Sequence, residues 1–114
     1  MNHFSNLNSN LLKKTDYFFN SWSNKNIIIH EGGAVRVDHA SLRNIFEKSF
    51  LFALRIVGKI IQTVGGNEYA PKRKKTSDLI SFLFAEKFKK KSLGNVNIFL
   101  NQGYLFFIRE NRNL

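Results

Sequence analysis

The chain has 114 residues, no cysteine, and a net charge of +10 from 18 Lys+Arg against 8 Asp+Glu. That length suits one modest core, and the lack of cysteine excludes disulfides, thiolate metal sites and thiol catalysis. The charge points to a polyanionic partner, nucleic acid or an anionic membrane surface; no apolar run approaches the roughly 18 residues of a bilayer span.

Residues 1–10 are Asn-rich and predict an irregular arm, with neither a secretory signal nor a transit peptide in view. Leu11, Leu12, Tyr17, Phe18, Phe19 and Trp22 are spaced as the aromatic face of a short helix, with Lys13 and Lys14 at its edge. Ser23–Asn26 reads as a polar break and Ile27–Ile29 as a β-leaning patch. His30–Asp38 carries Gly32-Gly33 and then alternates, which predicts a turn and a short extended piece. It lacks a P-loop lysine and GxGxxG spacing, so a loop is preferred to a phosphate cradle.

Asp38 or Ser41 suits the cap of the next helix. Leu42, Ile45, Phe46, Ala53, Ile56 and Val57 fall mostly at i, i+3, i+4 spacing and predict the core helix. Gly58 is a plausible stop. Lys59–Thr63 then reads as extended, Gly65-Gly66 as a turn, and Asn67–Ala70 as the return of a two-stranded arm. Pro71 disfavours helix at Ala70. Thr76 or Ser77 suits the cap of a second helix, with Leu79, Ile80, Phe82, Leu83, Phe84 and Phe88 on its apolar side and Lys87, Lys89, Lys90 and Lys91 in its last turn.

After Gly94, Asn95–Leu100 and Tyr104–Ile108 flank Asn101-Gln102-Gly103. Periodicity reads a β-hairpin, while the continuous run Leu105–Ile108 leaves a buried helix open. Arg109–Leu114 reads as a basic tail. The expected fold is therefore α+β and mainly helical: one small domain, residues 1–114, with a short β-hairpin arm. Ile45, Phe46, Ala53, Ile56, Leu79, Leu83 and Phe84 are expected to be buried together, and the 12 phenylalanines to supply much of the core's bulk.

No chemistry stands out. His3, His30 and His39 lack metal-ligand spacing, and no nucleophile is paired with a base. No enzyme activity, cofactor or metal is expected. The basic clusters Lys72–Lys75 and Lys87–Lys91 bracket one helix, and together with the net charge they favour nucleic acid. Zinc-finger, basic-zipper and helix-turn-helix signatures are missing, so RNA is preferred to DNA. The expected RNA contacts are Lys13, Lys14, Gly65, Gly66, Tyr69, Lys72, Arg73, Lys74, Lys75, Lys87, Lys89, Lys90, Lys91, Arg109 and Arg112. Tyr69 and Trp22 are the candidates for base or sugar contact. Abundant Asn, Lys, Ile and Phe have AT-rich codons, which hints at an organelle genome.

Several motifs resemble, in order, the family of the seventh protein of the small ribosomal subunit. They are Ile45-Phe46-Glu47-Lys48-Ser49, Val64-Gly65-Gly66-x-x-Tyr69, Lys74-Lys75 with the helix that follows, Lys91-Ser92-Leu93, and Asn101-x-Gly103 with Arg109-Glu110. Leu11-Leu12-Lys13-Lys14, Trp22-Ser23 and Glu68-Tyr69-Ala70-Pro71-x-Arg73-Lys74 resemble the nineteenth small-subunit family instead. Either resemblance implies a structural ribosomal protein that organises rRNA of the subunit head in mitochondrial-type translation. Its implied partners are small-subunit rRNA, neighbouring head proteins, and mRNA or tRNA near the Gly65-Gly66 arm, with no membrane. The seventh-protein family's helical architecture would make Asn95–Ile108 a helix. The different-class alternative is a peripheral membrane-associated protein, or another organellar complex subunit, using Phe-rich amphipathic helices beside lysines.

Overall fold

The computed structural model describes residues 20–110. Residues 20–26 are helical (α1). Then follow β1 (Ile27–Ile29), β2 (Val35–Asp38), α2 (His39–Lys48), α3 (Phe50–Gly65), α4 (Arg73–Leu83), β3 (Lys90–Leu93), β4 (Val96–Asn101) and β5 (Tyr104–Arg109). The strands form one antiparallel sheet in the order β1-β2-β5-β4-β3. Helices α2, α3 and α4 pack on the same face of it. The result is a two-layer α+β domain, with a full sheet in place of the expected short arm.

The expected long core helix is two helices joined at Ser49. Asp38 caps α2, its carboxylate accepting from the Ser41 amide at 2.9 Å and the Ser41 hydroxyl at 2.7 Å. Ser49 is extended; its amide donates to the Ile45 carbonyl, and its hydroxyl accepts from the Phe52 amide at the start of α3. One serine thus closes one helix and opens the next. Asp38→Ala removes the α2 cap and is expected to cost about 1 kcal/mol, read as a lower urea midpoint with an unchanged m-value.

Gly58 does not stop α3. Ile60, Ile61 and Val64 continue the stripe of Ala53, Ile56 and Val57, and all six are buried. The roughly 1 kcal/mol that glycine costs inside a helix is small beside burial of the residues beyond it, each worth about 1.5–3 kcal/mol. Lys59–Gly65 is therefore helix, and Asn67–Ala70 is an irregular connection without strand pairing. The expected hairpin arm does not form.

Three further expectations are corrected. Ser23–Asn26 belongs to α1 and is not a break. α4 begins at Arg73, three residues before Thr76. Thr76 is buried inside it, its hydroxyl donating to the Lys72 carbonyl. α4 also ends at Leu83, so Lys87–Lys91 lie in a connection and in β3, not in its last turn. Residues 1–19 and 111–114, which include Lys13, Lys14 and Arg112, lie outside the described residues.

The late hairpin is real: β4 and β5 pair from Val96↔Arg109 to Asn101↔Tyr104. Its turn, Gln102-Gly103, has φ of 51° and 84°; the β3–β4 turn, Gly94-Asn95, has 57° and 64°. Two positive values in a two-residue loop are the hairpin geometry that matches strand twist. Arg109 lies in β5 rather than in a tail.

Val35 and Val37 of β2, Val96 and Ile98 of β4, and Leu105 and Phe107 of β5 face the helices and are buried against Leu42, Ile56, Ile61, Ile80 and Leu83. Ile45, Ala53, Leu79 and Leu83 are buried as expected. Phe46 and Phe84 are only partly buried, tilted against each other with centroids 5.1 Å apart at the helix-layer rim. Among the described phenylalanines, Phe107 is the one in the buried set, so aliphatic residues supply most of the core. Phe46→Ala is accordingly expected to cost about 2 kcal/mol, below the usual range for a fully buried phenylalanine, measured by chemical denaturation.

Candidate nucleic-acid interface

Lys72 is the N-cap of α4, and Arg73, Lys74 and Lys75 form its first turn. All four side chains are exposed. No side chain caps this end, and no acidic residue sits in the first turn. A helix N-terminus carries unsatisfied amides and the positive end of the macrodipole, so anions belong there and cations do not. Four cations at such an end repel the dipole and one another. A phosphate placed there would relieve both.

The packing of α4 against β3 widens this cluster. Lys75 and Lys91 line one depression with Asp78 and Phe82, and the Lys91 ammonium lies 4.3 Å from the Phe82 ring centroid. Lys72 and Lys75 line a second with Asn67, Tyr69 and Gly94. Tyr69 is 76% exposed beside them. On the other side of Pro71 a groove of about 520 Å³ runs between α3 and α4. Arg55, Lys59 and Arg73 line it above a floor that includes Leu54, Gly58 and Pro71.

The two basic clusters of the sequence are thus partly joined. Lys75 shares one depression with Lys91 and another with Lys72, and Arg55 and Lys59 line a groove with Arg73. Lys87 and Lys89 are exposed on the α4–β3 connection, whereas Lys90 projects to the opposite face of the sheet, beside Phe99. Arg55 and Lys59 were not among the expected contacts. Their only sequence signal is i,i+4 spacing off the apolar stripe, which any solvated helix face shares.

Gly65 and Gly66 have a structural role. Gly65 is buried, so it offers no surface to RNA; a Cβ there would meet the Gly94 carbonyl at 2.3 Å. Gly66 closes α3 in the left-handed conformation, and the Asn67 amide reaches back to the Gln62 carbonyl at 3.0 Å, a Schellman-type end. The Asn67 side chain donates to the Gly94 carbonyl at 2.8 Å, tying the helix end to the β3–β4 turn. The Arg109 guanidinium lies against Gly66, where a cation suits the negative helix end. Trp22 is buried in the core cluster, which removes it as a base contact.

Among the described residues no group of acidic or histidine side chains could hold a metal, and no helix is long and apolar enough to cross a membrane. The fold and surface define a small α+β domain with a cationic helix end and groove. No protein-family model, curated relative or solved structure matches the chain.

Proposed function

We propose that this domain binds folded RNA without catalysis, by phosphate neutralisation at the start of α4 and along the α3–α4 groove. The observation that carries this reading is the run Lys72–Lys75 at an uncapped helix N-terminus, with Lys91 brought beside it from another element. A run of lysines that only solvated the surface would gain nothing from sitting at the positive end of a helix. The membrane-associated alternative has less support, because most apolar residues of α3 and α4 are buried in the core and only Phe50, Leu51 and Phe82 of these helices are exposed large hydrophobics.

The ribosomal setting, in a mitochondrial-type small subunit, rests on motif order in the sequence. Two segments of that resemblance have other structures here: Val64–Tyr69 is a helix end and not a hairpin, and Asn95–Ile108 is strands and not a helix. RNA binding stands on the surface itself. Titration of a folded RNA stem-loop and of anionic vesicles at rising salt tests it. The expected result is RNA binding that falls linearly on a log–log plot; vesicle binding without RNA binding would overturn it. Co-sedimentation with small subunits tests the setting separately.

A further inference from the structure

The sheet has a second face, which none of α2, α3 and α4 covers. Ile28, Arg36, Phe106, Phe99 and Lys90 lie side by side across all five strands there. Phe99 and Phe106, opposite each other on the adjacent strands β4 and β5, are nearly parallel, with centroids 5.2 Å apart and planes at 12°. His30 stacks on Phe106 at 6.4 Å from the β1–β2 connection. The Arg36 guanidinium carbon lies 4.4 Å from the Tyr104 ring centroid.

The two phenylalanines are half-buried by their neighbours on the sheet yet stand outside the buried core set. Cross-strand pairing of the two rings is a small gain for two large apolar side chains on a face that none of α2, α3 and α4 covers. The row places two cations beside them, Arg36 on β2 and Lys90 on β3. Arg36 has no carboxylate partner among the described residues, and its Nε is buried without a hydrogen bond. Asp38, two residues further along β2, is engaged as the α2 cap. Lys90 closes the row at the β3 edge, one residue from Lys91 on the helix-side depression. Lysines on an edge strand also prevent strand-to-strand aggregation, but that role needs no aromatic row beside them.

Aromatic rings with interleaved cations on an open sheet suit one chemistry well. Unpaired bases stack on the rings while Arg and Lys meet the phosphates. We infer that the outer face of the sheet stacks unpaired nucleotides of single-stranded RNA on Phe99 and Phe106, with Arg36 and Lys90 as phosphate contacts. This rests on the RNA reading above and adds a second site to it. A strand leaving the α4 end would pass over the β3 edge by Lys91 and Lys90 to reach the rings.

The test uses the full chain, labelled decauridine as an unstructured strand, and a blunt RNA hairpin. Phe106→Ala and Phe99→Ala each remove one platform; Phe106→Tyr and Phe106→Trp keep it. Loss of base stacking costs about 1–3 kcal/mol per base, so each alanine variant is expected to bind decauridine roughly 5- to 150-fold more weakly. The salt slope is unchanged, because no phosphate contact is removed, and hairpin binding is unchanged. The tyrosine variant binds as wild type does, and indole fluorescence of the tryptophan variant is quenched by decauridine beyond any change from the buried Trp22. If an alanine variant fails to fold, the fluorescence arm decides. Undiminished decauridine binding by both alanine variants would overturn the inference. So would wild-type protein that binds the hairpin and not decauridine, which leaves the RNA reading intact. Failure to bind either RNA would remove both. A wild-type dimer that Phe106→Ala converts to monomer, with RNA binding unaltered, would assign the face to self-association instead.

Discussion

Gly65→Ala is expected to destabilise the domain by about 3 kcal/mol, the upper part of the overpacking range. The added methyl would lie 2.3 Å from the Gly94 carbonyl oxygen, 2.7 Å from the Asn67 amide nitrogen and 3.2 Å from a Val96 methyl. Two of these could move only by undoing something. Gly94 sits in a tight turn with φ of 57°, and a shift there disturbs the Leu93↔Val96 pair; Asn67 would give up its bond to the Gly94 carbonyl. Relief requires α3 to withdraw from the sheet, which opens the core around Ile61 and Val96. For a domain of about this size each kcal/mol lowers the melting temperature by roughly 4–8 °C, so a fall of about 12–24 °C is expected by thermal denaturation. Loss of RNA binding in this variant would follow from unfolding. An unchanged melting temperature would mean that the helix end is not seated on the β3–β4 turn.

The same pair of glycines shows where sequence reasoning succeeds and fails. Gly-Gly between apolar segments signals that something turns or approaches closely, and both happen here. Whether the turn joins two strands or ends a helix depends on the residues before it. Ile60, Ile61 and Val64 fit a helical stripe and a β-rich segment alike, and burial against β4 and β5 decides for helix. The β4–β5 hairpin was legible because Gln102-Gly103 separates two apolar runs at hairpin distance. β3 was not, because Lys90-Lys91-Ser92-Leu93 has no alternating apolar signal and is a strand only by pairing with β4. The outer-face rings were hidden for a related reason. In Leu105–Ile108 every residue is apolar, so periodicity gives no hint that Phe106 and Phe107 point to opposite faces. The basic run was legible as charge just before a helix; that it forms the cap and first turn of α4 was not, since Thr76 or Ser77 looked like the cap.

Replacing Lys72, Arg73, Lys74 and Lys75 together by alanine is expected to separate function from stability. Alanine is the best helix former, and the four replacements remove mutually repelling charges from the positive end of α4. The melting temperature is therefore expected to rise or hold. Binding to a folded RNA stem-loop is expected to collapse. Each phosphate contact contributes roughly 0.7–0.9 to the slope of log affinity against log salt, so the variant loses about three units of slope if all four cations act. The affinity gap is widest at low salt and closes as salt rises, because screening already removes in the wild type what the substitution removes in the variant. Asp78→Asn is the matched control: Asp78 lies beside Lys75 and Lys91 and opposes phosphate, so its loss should tighten binding slightly. A four-alanine variant with the wild-type salt slope would show that RNA does not meet this helix end. A variant that loses slope and stability together would show that the cations hold the fold through contacts of their own.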